Sequence, residues 1–356
     1  MKFLFNKVND KYIFLYENIL NEFKDQLDDT KSLIDNYLKE WEIVKKQIHD
    51  YEYVYTSSYY KKNISKISPI SRSYFKLKEM NKEFNLLNEV NNKIVCLAEA
   101  PGGFIQSVIH SSLYDKIEEI IGITLLSDDD KVPRWNHSLR SYTKVKFLSG
   151  VKGDGDLYDF INIISLIKEI GKNSVDLVTG DGGFDYSSDY SKQEENSLKL
   201  IYSEIFLALN IQKDGGSFIC KIFDIFSRET IFLLYILKES YKDVYLYKPK
   251  MSRLSNSEKY IICLGYKGYN KDIIKLLCHS FEETKVDISV SNQFMNDIYE
   301  YNKLYCKNQI NHIKKGIHLI KTNQLNNKPT SEQLTLGIEW CKKYDIPINN
   351  KCSYLI

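Results

Sequence analysis

Seven short apolar runs, separated mostly by helical patterns, set the tightest limit on the fold. They are 93–99 (KIVCLAE), 119–125 (EIIGITL), 143–149 (TKVKFLS), 174–181 (SVDLVTGD), 216–223 (GSFICKIF), 243–249 (DVYLYKP) and 259–266 (KYIICLGY). Helical patterns follow Gly103 and run across 190–211 and 226–240. Strands alternating with helices predict a doubly wound, mostly parallel α/β sheet over 73–266. The last two runs have no obvious helix between them, so an antiparallel hairpin is expected to close one edge. Residues 11–60 read as helix, with Ile34, Leu38, Trp41, Lys45 and Ile48 at i, i+3/i+4 spacing. Residues 269–356 return to helix-like polar patterns broken at Pro329 and Pro347.

Composition narrows the class. With 356 residues, 43% hydrophobic and 27% charged, the chain is one large domain with extensions, or two domains. The formal charge of +2, from 49 basic and 47 acidic residues, excludes a basic field over the whole molecule. A nucleic-acid partner would need a local patch. The seven cysteines are odd in number and form no CxxC pair, which predicts a reducing, intracellular compartment and no zinc cluster. No apolar stretch approaches the roughly 20 residues that span a bilayer, and the first residues lack a signal-peptide pattern, so no membrane partner is expected.

Six segments carry candidate chemistry. Ala98-Glu99-Ala100-Pro101-Gly102-Gly103-Phe104 follows a predicted strand and opens a helix. Its small residues would let backbone approach a ligand, and a helix N-terminus there favours anionic groups. A tight β–α turn explains the same residues, and GxGxxG is absent, which disfavours a nicotinamide dinucleotide. Gly153-Asp154-Gly155-Asp156 places carboxylates after the third predicted strand, where one could accept from an adenine amino group. Thr179-Gly180-Asp181-Gly182-Gly183-Phe184-Asp185 puts a carboxylate at a strand's carboxyl end, where open α/β sheets build their sites. Lys221 lies inside an apolar strand, which is costly unless the lysine is paired or snorkels from an edge. Glu258 precedes the last strand in Ser252-Arg253-Leu254-Ser255-Asn256-Ser257-Glu258, and Lys76 sits on a helix ahead of the first strand of the alternating zone. Each of the last two alone also reads as a surface residue.

In this order, the segments resemble the FtsJ-like (RrmJ-fold) RNA ribose 2′-O-methyltransferases. The stretches DGGFD, GGSFICKIFDIFS and KPKMSRLSNSEKYIICLGYKG look more like the cap-specific branch of eukaryotes and large DNA viruses. The resemblance covers 61–268 and implies a Rossmann-like methyltransferase sheet, mostly parallel with an antiparallel last strand. Helical extensions over 1–60 and 269–356 would flank it. It implies S-adenosyl-L-methionine as cofactor and methylation of the first transcribed nucleotide of capped mRNA, cap 0 to cap 1. A tetrad of Lys76, Asp181, Lys221 and Glu258 would be catalytic. Ala98 to Phe104, Asp154, Asp156 and Asp181 would meet the cofactor. This chain has Leu97 where many relatives carry an acid, and its second expected strand of the zone ends Ile123-Thr124-Leu125 without the usual ribose-binding acid. The resemblance leaves open whether Lys221 is general base or steers the 2′-hydroxyl, and whether other capping enzymes or an RNA polymerase bind.

RNA contacts are expected from the acid-free stretch 61–78, where Lys66, Arg72 and Tyr74 combine cations with an aromatic ring. Arg253, Ser255 and Asn256 in the SRLSNSE loop are further candidates. A second acid-free stretch, 301–330, has no assigned role. An enzyme of a large DNA virus would work in the host cytoplasm, with the nucleus as alternative. Competing readings are methylation of rRNA or of the second cap nucleotide, and a non-catalytic RNA-binding subunit on the same fold.

Overall fold

The computed structural model describes residues 2–5, 17–183, 192–284 and 290–356. Phe184 and Asp185 of the DGGFD stretch, and the first residues of the two helices expected at 11–60 and 190–211, lie outside the described residues.

All seven expected strands form. They are β2 (Lys93–Leu97), β3 (Glu119–Ile123), β4 (Val145–Leu148), β5 (Val175–Gly180), β6 (Gln212–Ile222), β7 (Tyr241–Tyr247) and β8 (Lys259–Tyr266). An eighth, β1 (Lys2–Leu4), comes from the start of the chain, which the sequence reading left without a strand. The sheet order is β1-β7-β8-β6-β5-β2-β3-β4. Strands β2 to β6 pair in parallel, whereas β8 runs antiparallel to β6 and β7, and β1 antiparallel to β7. The hairpin expectation is met with one refinement: β8 inserts between β6 and β7, and β1 rather than β7 forms that edge.

The central parallel strands β2, β3 and β5 are buried on both faces, so they read as apolar runs without alternation. One core layer lies under α5 (Phe160–Ile170), α6 (Gln193–Ile211) and α7 (Arg228–Ser240). The other lies under α3 (Ser73–Phe84) and α4 (Gly103–Ile109). Between β2 and β5 the order of strand addition across the sheet reverses, with β3 and β4 on one side of β2 and β5 and β6 on the other. Crevices of open α/β sheets form at the strands' carboxyl ends at such a reversal.

The N-terminal helical zone splits into α1 (Glu17–Ser32) and α2 (Leu38–Gln47), joined by a 3-10 turn over 33–37. Ile34, Trp41, Val44 and Ile48 bury against Ile313 and Ile317 of the long helix α9 (Asn292–Lys321). Leu38 departs from the expected stripe: it is exposed at the start of α2, because the 3-10 turn shifts the helical phase. Helices α8 (Lys271–His279) and α10 (Ser331–Lys343) complete the C-terminal part. No helix among the described residues is long and apolar enough to cross a membrane.

Candidate active site

A cleft of about 1040 Å³ opens over the carboxyl ends of β2, β3 and β5. Its floor holds Asp181, Lys221 and Glu258. Strand geometry brings them together. Asp181 follows β5, Lys221 lies on the adjacent β6, and Glu258 directly precedes β8, which pairs with β6. Lys76 reaches them from α3, with its ammonium 2.7 Å from the Glu258 carboxylate. Lys221 Nζ donates to the Asp181 carbonyl at 2.9 Å and lies 3.4 Å from Asp181 Oδ1. All four expected tetrad residues thus form two adjoining ion pairs. Their side chains are only 11–15% exposed, so their fields are weakly screened by water.

The charge states follow from the neighbours. Burial opposes ionisation of Glu258, but Lys76 and Lys221 outweigh it and hold its carboxyl at about 2. Burial likewise opposes the charge on Lys221, yet Asp181, Glu258 and Glu204 overcome it and raise its pKa. In the cleft without cofactor, these carboxylates thus favour the ammonium form of Lys221. Two groups missed from sequence support this floor. Tyr260, the cross-strand partner of Lys221, donates its hydroxyl to Asp181 Oδ1 at 2.7 Å. Glu204 of α6 lies buried behind Gly180 and Gly182, with its pKa pushed up to about 8, chiefly by burial. The position of Tyr260, two residues after Glu258 on a strand, was the available signal for the first. Nothing in the helical pattern of α6 marks the second.

The Ala98–Phe104 loop divides its labour. Ala98, Glu99, Ala100 and Pro101 line the cleft. The rest of the loop corrects the expectation of ligand contact. Gly102, at φ +111, packs against Leu139, and a Cβ at Gly103 would strike the hydroxyls of Ser71 and Ser73. Their small size thus serves helix packing, and Phe104 is core. The N-terminus of α4 is already capped, because the Glu99 carboxylate accepts from the Phe104 and Ile105 amides at 2.5 and 3.4 Å. Burial pushes the Glu99 pKa well up despite those bonds.

The 153–156 turn also splits. Asp156 lines the cleft. Asp154 does not: its Oδ1 accepts from the Asp156 amide and from Asn162 Nδ2, so it shapes the turn. Gly155 sits at φ +69, and a Cβ there would lie 1.9 Å from the Thr124 carbonyl, so only glycine fits beside the end of β3. Thr124 and Leu125 line this end of the cleft. Among the described lining residues, no acid follows β3.

Among the expected RNA contacts, Tyr74 is corrected. It is 1% exposed, donor or acceptor to His110 Nδ1 at 3.2 Å, and packed edge-on to Phe75, because the inner face of α3 turns it into the core. Arg72 and Arg253 do line the cleft, but their guanidinium groups are engaged by Glu52, a fully buried carboxylate of the N-terminal zone. Arg253 binds it in fork geometry at 2.9–3.1 Å. Ser255 and Asn256 line the cleft as well, and Lys66 is exposed away from the lining. Ile34, Trp41 and Lys45, from the helical stripe of the N-terminal zone, add a further wall.

The family model described as FtsJ-like methyltransferase matches residues 69–266. A Caenorhabditis briggsae protein, cap-specific mRNA (nucleoside-2′-O-)-methyltransferase 1A, is 30% identical over 69% of the chain and 30% of its own length. A Drosophila melanogaster protein, cap-specific mRNA (nucleoside-2′-O-)-methyltransferase 2, is 30% identical over 77% of the chain and 40% of its own length. The Trypanosoma brucei brucei cap-specific mRNA (nucleoside-2′-O-)-methyltransferase 1 is 31% identical over 52% of each. The chain thus spans between about a third and a half of these relatives. With an FtsJ-like match over more than half its length, closing on the sheet that carries the Lys–Asp–Lys–Glu cluster, the chain belongs to the FtsJ-like methyltransferase family.

Proposed function

We propose that the chain is an S-adenosylmethionine-dependent methyltransferase acting on the ribose 2′-hydroxyl of the first transcribed nucleotide of capped mRNA. The observation that carries this is the pair of ion pairs, Lys76–Glu258 and Lys221–Asp181, on the floor of a cleft at the strand ends. The names of the relatives support the capped substrate.

The residues present fit the cofactor of the family. The crevice offers a carboxylate at Asp156 and apolar walls at Leu125, Val132 and Leu157, a donor set suited to a nucleoside. Ala98 to Pro101 and Asp156 would hold S-adenosylmethionine, which supplies an electrophilic methyl group on a sulfonium. The protein must place a ribose oxygen in line with that methyl. Lys221, an ammonium flanked by carboxylates, donates to the 2′-oxygen and steers it. The hydroxyl becomes acidic as its oxygen gains a third bond, and Asp181 is the nearest anionic acceptor for its proton. Glu258, kept ionised, holds Lys76 against the same cluster.

Methyl transfer from labelled cofactor to short RNAs with cap 0, with an unmethylated guanosine cap, and with a 5′-triphosphate tests the reading. Transfer confined to, or strongly favouring, capped RNA is expected. Equal transfer to uncapped RNA would favour an internal target instead.

A further inference from the structure

Beside the cleft lies a second cavity of about 160 Å³, where the helical extensions meet the β7–β8 connection of the methyltransferase sheet. Ile48 to Tyr51 form one side, the β7–β8 connection another, and Tyr305 to Gln309 of α9 the third. Its size is close to the ~150 Å³ cavity that accepts a single benzene ring. Asn256 and Gln309 line both this cavity and the main cleft, so the two adjoin. The link to the catalytic floor is short. Lys248, a wall residue, donates to the carbonyl of Glu258 itself at 2.6 Å.

His49 is the telling residue. It lines the cavity, is 4% exposed, and its Nε2 has no hydrogen-bond partner. Buried polar atoms are almost always satisfied, so an orphan on a residue of the cavity wall points to a missing partner. Burial first, then Arg72, Arg253 and Lys248, hold the imidazole well below its ordinary pKa and therefore neutral. A neutral imidazole can donate or accept according to tautomer, as the edge of a nucleobase requires. Tyr51 and Tyr305 give aromatic surface, and single-stranded RNA is commonly read by bases splayed into such settings.

We propose that this cavity holds the base of a nucleotide next to the acceptor ribose, with His49 Nε2 bonded to the base edge. The proposal rests on the RNA reading of the main cleft. It gives the enzyme a grip on the RNA chain that is independent of the cap.

The test combines RNA and protein changes. Capped RNAs of six nucleotides carry an abasic residue at position two, three or four, and KM for methyl transfer and equilibrium RNA binding are measured. Wild-type protein should lose about 10-fold at one of these positions, the scale of a single stacked base. In His49→Phe, and in Leu254→Trp at the exposed cavity mouth, the same abasic change should cost less than about 2-fold. Leu254→Trp keeps the test decisive should His49→Phe fail to fold. The proposal is overturned if no abasic position matters in the wild type, or if the penalty persists undiminished in the folded variants. Methylation of capped RNA with no abasic sensitivity removes only this proposal, whereas no binding or methylation of any RNA removes the functional reading as well.

Discussion

Lys221 concentrates the chemistry at the scale of single residues. A lysine in a buried strand had to be paired, and it is, by Asp181 at 3.4 Å and by the field of Glu258 and Glu204. Because those carboxylates favour its charged form, the role proposed for it is donation and steering. Lys221→Ala should lower kcat by roughly 10²–10⁴ while cofactor binding persists. Lys221→Arg keeps a cation and should recover part of that loss. Turnover near wild type in the alanine variant would remove the role, and an arginine variant as dead as alanine would point to a neutral base instead. The resemblance named Lys76, Asp181, Lys221 and Glu258 together, and the structure does bring these four side chains side by side. Their charge states were not legible in the sequence, since these depend on how close non-neighbouring strands bring Asp181, Lys221 and Glu258.

At the scale of elements, the strands were readable and the finer work of the loops was not. Apolar runs such as 93–99 and 259–266 must be buried on both faces, so their pattern declares them. The loop glycines looked ligand-facing because nothing local distinguishes a glycine that admits a ligand from one that admits Leu139 or Ser73. Strand β1 escaped because a three-residue edge strand has too few residues to show a period. Glu52 had no signal either: it lies in a short 3-10 turn over 52–54, yet it binds Arg253 and Arg72 across more than the sequence distance any pattern reports. Its removal should be felt where Arg72 and Arg253 line the cleft. Glu52→Gln leaves two partly buried guanidinium groups without their anion. It should raise KM for RNA several-fold with a smaller change in kcat, and cost about 1–3 kcal/mol of stability by thermal melting. An unchanged KM would show that the two arginines take no part in RNA binding.

At the scale of the whole molecule, the two extensions pack on each other through Trp41 and α9, and charge ties the N-terminal one to the sheet. Asp224, just beyond β6, accepts from Lys31 of α1 at 2.8 Å and from Ser257 at 2.8 Å, and lies 3.6 Å from Lys259. Burial opposes its ionisation, but Lys31 and Lys259 outweigh it and hold the carboxyl at about 2. Removing the charge strands two buried lysines, so Asp224→Asn should destabilise the fold by about 3–5 kcal/mol in denaturant titration. A loss under 1 kcal/mol would contradict the clamp. Asp224 and Glu258 both titrate below their unfolded values of 3.8 and 4.5. The stability they contribute is present above those values and is lost as pH falls from about 4 toward 2. The formal charge of +2 gains meaning at this scale. Cations near the cleft are largely paired internally, as Arg72, Arg253 and Lys76 are, so few remain to neutralise phosphates and the salt dependence of RNA binding should be shallow.

The central claim is the position of the transferred methyl. Capped RNA incubated with the protein and S-adenosylmethionine, digested to nucleosides and cap dinucleotides and weighed by mass spectrometry, locates it directly. The account predicts one added methyl on the 2′-oxygen of the first transcribed nucleotide, absent when that position is already methylated and in Lys221→Ala. A methyl on a base, on an internal ribose or on the second nucleotide alone would contradict it.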